Sequence, residues 1–591
     1  MRTLLACMLL VTVSGAAQQK TPNLPEGYWP ESKSNELLAR TETIRLAPDL
    51  SRLPPGEQAA VQSLIEAGKI IQKLYEQSRH AEALGAYAKL QQLHAATGRT
   101  KATENLLQLY RLFQGPIAST LDNRREPFLP VGPQVAGRNV YPIDATKEQI
   151  EAFLALNPEL RGEILDERTV VRRMTKASLD DDIQILQVFA PLRTLFPGLL
   201  ERLRGYASAP NADNFYAVPY SVAYADDLFT AYAYVMRAAA AAEPTDAELA
   251  RYLRNRARDL LSNDYESGDA SWVTGRFQRL NVQLGAYETY DDALYGAKAF
   301  HSMSILLLDE PATAELRRAL GGLQAIEDAL PYEQHKRVRE DIPVGVYEII
   351  ADFGQARGTN TATILPNDPL FARRYGRTIL LRESIMKNPQ IVAASQRIWR
   401  AVVAPAHANE LAAEGEVQRT LWHEIGHYLG VDRDKEGRTL DVGLQDYADS
   451  IEEMKSDLVS LFALQRMNHP SLRAIQAAGI RRTLQNVQPR SDQPYQMMEL
   501  LQFNWFLEHG LLTYDPKSGL LSIHYDRYPE VVTSLLKEVL QLQREGDHAA
   551  AAAFFARWTK WTPELHEKLA ARIRDAQGAR FRIVHYAALG E

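Results

Sequence analysis

Cysteine is almost missing from this chain: one occurs in 591 residues, Cys7. That excludes a disulfide framework and a cysteine-held metal, so any metal must be held by histidines and carboxylates. No long apolar run follows the first residues, which removes a membrane span of roughly 20 residues. An excess of either charge is also lacking. Lys plus Arg (67) against Asp plus Glu (74) leaves −7, no electrostatic footprint for nucleic acid or an anionic membrane. No segment returns at a fixed period, so a helical repeat is excluded. What remains is an ordinary globular composition, 46% hydrophobic and 24% charged. The length calls for two lobes or more around a large core.

The first residues have the form of an export signal. Arg2 supplies a short positive region, Leu4 to Val13 an apolar run, and Ser14-Gly15-Ala16-Ala17 a small-residue cleavage site. Cleavage near Ala17 would leave a mature chain without a thiol, periplasmic or extracellular. A lipoprotein signal at Leu4-Leu5-Ala6-Cys7 is the weaker reading, because too little apolar chain precedes the cysteine.

Along the chain, residues 18–56 are rich in Pro, Ser and charge and predict an extended opening segment. From Gly56 to about Phe113 the spacing is helical, through Val61, Leu64, Ile65, Ile71 and Leu74 and then Ala83, Tyr87, Leu90 and Leu93. The Pro54-Pro55 pair punctuates its start. Residues 115–145 form a Pro/Gly-rich connection, after which Thr146 is placed to cap a new helix. Short extended pieces are expected near Thr169–Arg173 and Ala217–Val222, and a packing helix over Ala223–Ala242. Residues 263–295 interleave polar, aromatic and Gly positions without period, which suits a shaped loop. Val344–Asp352 and Thr359–Leu365 are β-branched and predict strands. Helix returns from Ser384 to about Asp575, and Ala579–Leu589 predicts a terminal strand.

The chemistry gathers at Leu421-Trp422-His423-Glu424-Ile425-Gly426-His427-Tyr428-Leu429-Gly430. Residues i and i+4 share a helical face, so His423 and His427 can reach one metal ion. Glu424 can address a water held there. Val417, Leu421, Ile425 and Leu429 form a stripe roughly opposite the histidines, so one face packs while the other binds. Gly426 marks a close approach, and Gly430 is placed to end the helix. A lone His on such a helix is usually a satisfied core residue; two at this spacing around a Glu favour a metal.

A catalytic zinc takes three protein ligands and keeps a fourth position open. The metzincin pattern His-Glu-x-x-His-x-x-Gly-x-x-His fits at Gly430 and fails at Arg433, whose guanidinium cannot ligate, while Asp432 is out of step. The third ligand is better sought in Ile451-Glu452-Glu453-Met454-Lys455-Ser456-Asp457-Leu458. Ile451, Met454, Leu458 and Leu461 predict a helix packed in the interior. Three carboxylates on such a helix are costly unless compensated. A dication and the N–H groups of its histidines would compensate them. An acidic helix start at the surface is the competing reading. Spacing alone barely separates Glu452 from Glu453 as the ligand.

The pairing of His423-Glu424-Ile425-Gly426-His427 with Glu452-Glu453-Met454-Lys455-Ser456-Asp457 resembles the two signature motifs of the dipeptidyl peptidase III family of zinc peptidases. Tyr265-Glu266-Ser267-Gly268-Asp269, Gly285-Ala286-Tyr287-Glu288-Thr289-Tyr290 and Ile364-Leu365-Pro366-Asn367 echo its bacterial members. The resemblance spans most of the mature chain and implies one zinc ion held by His423, His427 and Glu453. It implies Glu452 and Asp457 as partners orienting the histidines, and Tyr290 as the hydrogen-bond donor to the oxyanion. Glu288 would receive the amino end of the substrate and Asn367 its backbone. The implied fold is α+β and two-lobed, with a mostly helical zinc lobe, a mixed lobe bearing a small sheet or barrel, and a cleft between them. In that scheme 1–17 is the signal peptide and 18–56 the opening segment. Residues 57–300 are the mainly helical part of the first lobe, 301–343 a helical segment of the zinc lobe, and 344–383 a strand-rich return to the first lobe. Residues 384–575 form the catalytic lobe and 576–591 a strand returning to the first.

There are departures. The histidine spacing is the shorter one, found in some bacterial members. Lys455 and Asp457 stand where Arg and Glu are common. Tyr495 and Glu499 occupy the region where the family places a substrate-side His and Arg. The expected activity is release of dipeptides from short peptides, by attack of water with Glu424 as general base. A metal-bearing peptide-binding protein with weakened turnover is an alternative, as is a zinc hydrolase of a non-peptide amide or ester. Some members are joined to Nudix domains. No Nudix box occurs here, so pyrophosphohydrolase activity has no support.

Overall fold

The structure, a computed structural model, describes residues 24–338, 343–358, 360–365, 371, 374–376, 378–485 and 494–591. The chain forms two compact units. The smaller takes the residues up to Ala39 together with Glu82–Gln134. It holds helices Glu31–Leu38, Ala83–Ala96 and Lys101–Phe113 and a two-stranded ribbon of Ile117–Ser119 and Arg125–Pro127. Within it Tyr87 stacks on Tyr110, ring centroids 4.4 Å apart.

The larger unit, Arg40–Ala81 with Val135–Glu591, is α+β and contains two large hydrophobic cores. Helix Pro55–Arg79 starts with proline at its first position, where the missing N–H costs nothing. It buries Val61, Leu64, Ile65, Ile71 and Leu74 against helix Ala225–Ala242, which presents Ala231, Val235, Ala238 and Ala239 in return. The helix from Lys147 begins with Thr146 and Gln149 in a reciprocal capping box.

A five-stranded sheet runs in the spatial order Leu280–Ala286, His301–Leu308, Val344–Gly354, Thr378–Arg382, Ala362–Leu365. Val344–Gly354 and Thr378–Arg382 are parallel; the other neighbours are antiparallel. Successive side chains of a strand point to opposite faces, and here the faces belong to different cores. Leu380 enters the first core while Ile379 and Leu381 enter the second. Val344 and Val346 likewise face the second core, and Tyr347 and Ile349 the first. This part of the sheet is therefore a wall common to both. The second core is built chiefly from helices, among them Pro389–Val402, Ala413–Gly426, Ala448–Arg466, Leu472–Thr483 and Tyr528–Glu545.

Several expectations need correction. Residues 301–308 are a strand, not the start of a helical segment. All eight are buried, and a strand covered on both faces loses the alternation that would reveal it. The stretch 263–295 contains helix Glu266–Thr274 and strand Leu280–Ala286 before the loop proper. The opening segment is not merely extended: helix Glu31–Leu38 precedes strand Thr41–Leu46, which pairs in parallel with Phe581–Tyr586. A hairpin, Leu512–Asp515 with Leu520–Ile523, interrupts the long C-terminal helical region. Among the described residues, no helix is long and apolar enough to cross a membrane.

Candidate metal centre

The His-Glu helix, Ala413–Gly426, buries Val417, Leu421, Ile425 and, just past its end, Leu429. It rests on helix Leu472–Thr483 near its start and on helix Ala448–Arg466 near its end, and a glycine permits each contact. A Cβ on Gly415 would lie 2.2 Å from Ala474 O, and one on Gly426 would lie 2.8 Å from Ser456 O. No real side chain fits there, so the two backbones touch where the motifs face each other. The helical span closes at Gly426, with His427 following in αR conformation. Gly430, at φ +84°, ends the turn beyond rather than the helix itself.

This crossing brings the two motifs into one cluster. His423, His427 and Glu453 each offer a ligand atom, all within 4.8 Å of one another. His423 Nε2 lies 3.2 Å from Glu453 Oε2 and His427 Nε2 lies 3.6 Å from Glu453 Oε1. Ligand atoms about 2.1 Å from a tetrahedral zinc stand about 3.4 Å apart, and the two nitrogen-to-carboxylate separations lie on either side of that value. The rings stand at 89° to each other.

The other ring nitrogens are engaged. His423 Nδ1 donates to Asp457 Oδ1 at 2.8 Å, and His427 Nδ1 donates to Glu452 Oε1 at 3.0 Å. An N–H held at Nδ1 leaves the Nε2 lone pair for a metal. The geometry thus separates the two glutamates that spacing could not: Glu453 faces the Nε2 pair and Glu452 the outer nitrogen of His427. Both carboxylates behind the histidines are anchored in turn. Arg419 Nη1 donates to Asp457 Oδ1 at 2.9 Å, with Arg482 Nε 3.8 Å from the other oxygen. Gln543 Nε2 donates to Glu452 Oε2 at 2.9 Å, and Lys455 Nζ lies 2.7 Å from its Oε1.

Burial opposes charge on Glu452, Asp457 and His423, and their partners overcome it. Glu452 is pulled down to about 2 against its burial, chiefly by Lys455 and then His427. Asp457 is held well below the usual carboxylate range by His423, Arg419 and Arg482. His423, which burial would depress, is pushed up to about 9 by Asp457 and Glu453. Glu424 is half-buried, and burial raises its carboxyl although His423 and His427 oppose the shift. That suits a group that must take a proton and return it.

The His423 value carries a pH prediction. In the metal-free protein this imidazole keeps its proton up to about pH 9, and a histidine must lose it to ligate. Metal affinity, measured by chelator competition, is therefore expected to rise roughly tenfold per pH unit below that point and then level. An affinity independent of pH between 6 and 9 would contradict it. The sign for folding is opposite. The folded pKa is raised above the ordinary 6.5. The stability this contributes to the metal-free protein is complete below the unfolded pKa and is lost as pH rises through about 9.

The other sequence-predicted residues lie on other elements. Glu288 and Tyr290 lie on the loop that joins strands Leu280–Ala286 and His301–Leu308, and the Tyr290 side chain is 68% exposed. Asn367 and the Tyr495 side chain lie outside the described residues. Glu499 is buried and pairs with Arg482 Nη1 at 2.9 Å, so it anchors a guanidinium that reaches Asp457. Arg433 turns away, donating to Gly437 O at 2.9 Å. Arg419, Gln543 and Lys455 were not singled out from sequence as partners of the site. Only Lys455 left a signal, as the one cation among the carboxylates Glu452, Glu453 and Asp457.

No protein-family model matches the chain. Among solved structures, DPP III from Caldithrix abyssi is similar at 23% identity and a TM-score of 0.79, over 94% of this chain and 99% of that one. Dipeptidyl-peptidase III from Corallococcus sp. strain EGB is similar at 24% identity and a TM-score of 0.72, over 95% and 98%. The chain has the fold of these structures. In sequence it is 24% identical over 447 residues to Nudix hydrolase 3 of Arabidopsis thaliana, over 73% of this chain and 55% of the relative. The chain thus spans about half the length of that relative.

Proposed function

We propose that the chain is a zinc-dependent peptidase of the dipeptidyl peptidase III kind, releasing dipeptides from the amino ends of short peptides outside the cytoplasm. The observation that carries this reading is the cluster itself. Two Nε2 atoms face one carboxylate at 3.2 and 3.6 Å, with Glu424 on the same helix as His423, in a fold shared with two dipeptidyl peptidase III structures.

His423, His427 and Glu453 would hold the ion. Zinc, when bound, supplies an acidified water and an electrophile for the scissile carbonyl. Glu424 accepts the proton of the attacking water and delivers it to the leaving amine. Asp457 and Glu452 keep each imidazole in the tautomer and orientation that ligation needs. Tyr290 donates to the oxyanion, Glu288 receives the free amino end, and Asn367 receives the peptide backbone. A free amino end should then be required. Peptides with free and acetylated amino ends, incubated with zinc-loaded protein, are expected to differ, the free ones cleaved and the acetylated ones spared. Equal rates would overturn the amino-end reading while leaving the peptidase.

One observation favours a second reading, a peptide-binding protein with weakened turnover. Glu499 is committed to Arg482 where the resemblance implies a substrate-side cation. Peptide affinity without turnover above that of Glu424→Gln would select this reading.

A further inference from the structure

His427 is the ligand that the helix does not hold. The helical span closes at Gly426, and His427 stands in the turn that follows. A helix end leaves carbonyls short of intrahelical donors; here Gly426 O accepts the Leu429 N–H at 3.1 Å and keeps a second lone pair. Lys455, 1% exposed, reaches this turn: its Nζ donates to Gly426 O at 2.7 Å and to Leu429 O at 2.9 Å. The same Nζ lies 2.7 Å from Glu452 Oε1, the oxygen that receives His427 Nδ1. An ammonium has three N–H donors, and each has an acceptor. On another side of the turn, the buried Glu327 accepts the Gly430 N–H at 2.8 Å and the Tyr332 hydroxyl.

We propose that Lys455 is a positioning residue of the metal centre, fixing with one ammonium both the turn that carries His427 and the carboxylate that sets its ring. Any buried ammonium needs acceptors for its three N–H groups. What marks Lys455 is where they lie, since beside Glu452 they are Gly426 O and Leu429 O, one carbonyl on either side of His427. An arginine would not reproduce this arrangement, because its planar fork cannot meet three acceptors around a point. The inference rests on the metal reading of the site and is independent of what the protein cleaves.

The test uses the full chain loaded with Co²⁺, whose visible bands report ligand geometry, and the variants Lys455→Met and Lys298→Met. Lys298 is the control, an equally buried lysine of the larger unit whose Nζ donates to Ile164 O, Asp166 O and Thr169 Oγ1 at 2.6, 2.7 and 2.6 Å. Lys455→Met is expected to weaken Co²⁺ binding by about 10- to 100-fold, the range for partners behind a ligand, and to alter the bands. Lys298→Met is expected to lower Tm while leaving affinity and bands native. Native Co²⁺ affinity and bands in Lys455→Met would overturn the proposal. If that variant does not fold, Lys455→Gln is read in the same way, since its amide can still satisfy one carbonyl. A native chain that binds no Co²⁺ overturns the metal reading and the proposal together. One that binds Co²⁺ but cleaves no peptide removes the peptidase reading and leaves Lys455 to be judged on binding alone.

Discussion

Glu424→Gln is expected to lower kcat by about 10³-fold, within the 10²- to 10⁴-fold range of general acid–base catalysis, while the protein keeps its metal. The expectation follows from the division of labour at the site. Glu424 is not among the three groups whose ligand atoms converge, so removing its charge leaves the triad intact. Its carboxyl is raised by burial, with His423 and His427 opposing. That placement lets it exchange a proton within one turnover, which an amide cannot do. Steady-state kinetics beside a zinc determination checks both halves. Loss of activity with loss of zinc would instead make Glu424 a structural residue.

Asp457→Ala is expected to destabilise the protein by about 3–5 kcal/mol, the range for breaking a buried ion pair on one side. Its carboxylate, 3% exposed, receives His423 Nδ1 and Arg419 Nη1 and faces Arg482 Nε. Alanine would leave two guanidinium groups short of a partner and one imidazole free to turn. Urea unfolding of the metal-free protein reads the first effect, and chelator competition reads the second as weaker metal binding. The pH signature is also fixed. Asp457 is depressed below the ordinary carboxylate, so its contribution is present above the unfolded pKa of about 3.9 and fades as pH falls towards its folded value. The variant should therefore be less acid-sensitive than the native protein. A stability change under about 1 kcal/mol would mean that the Arg419 and Arg482 charges are compensated elsewhere.

Which parts of this were legible in the sequence depended on whether the decisive contact was local. The two histidines are, because i and i+4 on one helix is a local relation, and their packing stripe sits in the same few residues. The acidic helix was legible for the same reason, through Ile451, Met454 and Leu458. Which of Glu452 and Glu453 faces the metal was not, since the answer lies in how two helices cross. Gly426 against Ser456 sets that crossing. Lys455 shows the same limit: two of its acceptors lie at the end of another helix and in the turn beyond it, 29 and 26 residues earlier. The strand His301–Leu308 was hidden by being buried on both faces, whereas Val344–Gly354 was visible through its β-branched residues. The pairing of Thr41–Leu46 with Phe581–Tyr586 joins opposite ends of the chain, and no local pattern encodes it.

The cluster at His423, His427 and Glu453 is meant to be the working centre of a peptidase that cuts from the amino end. A timed digest of a peptide library by the zinc-loaded protein, native against Glu424→Gln and read by mass spectrometry, tests this most directly. The account predicts dipeptides released in succession from amino ends by the native protein and almost none by the variant. A native protein that holds zinc and cleaves nothing, or a variant that cleaves as fast as the native chain, would contradict it.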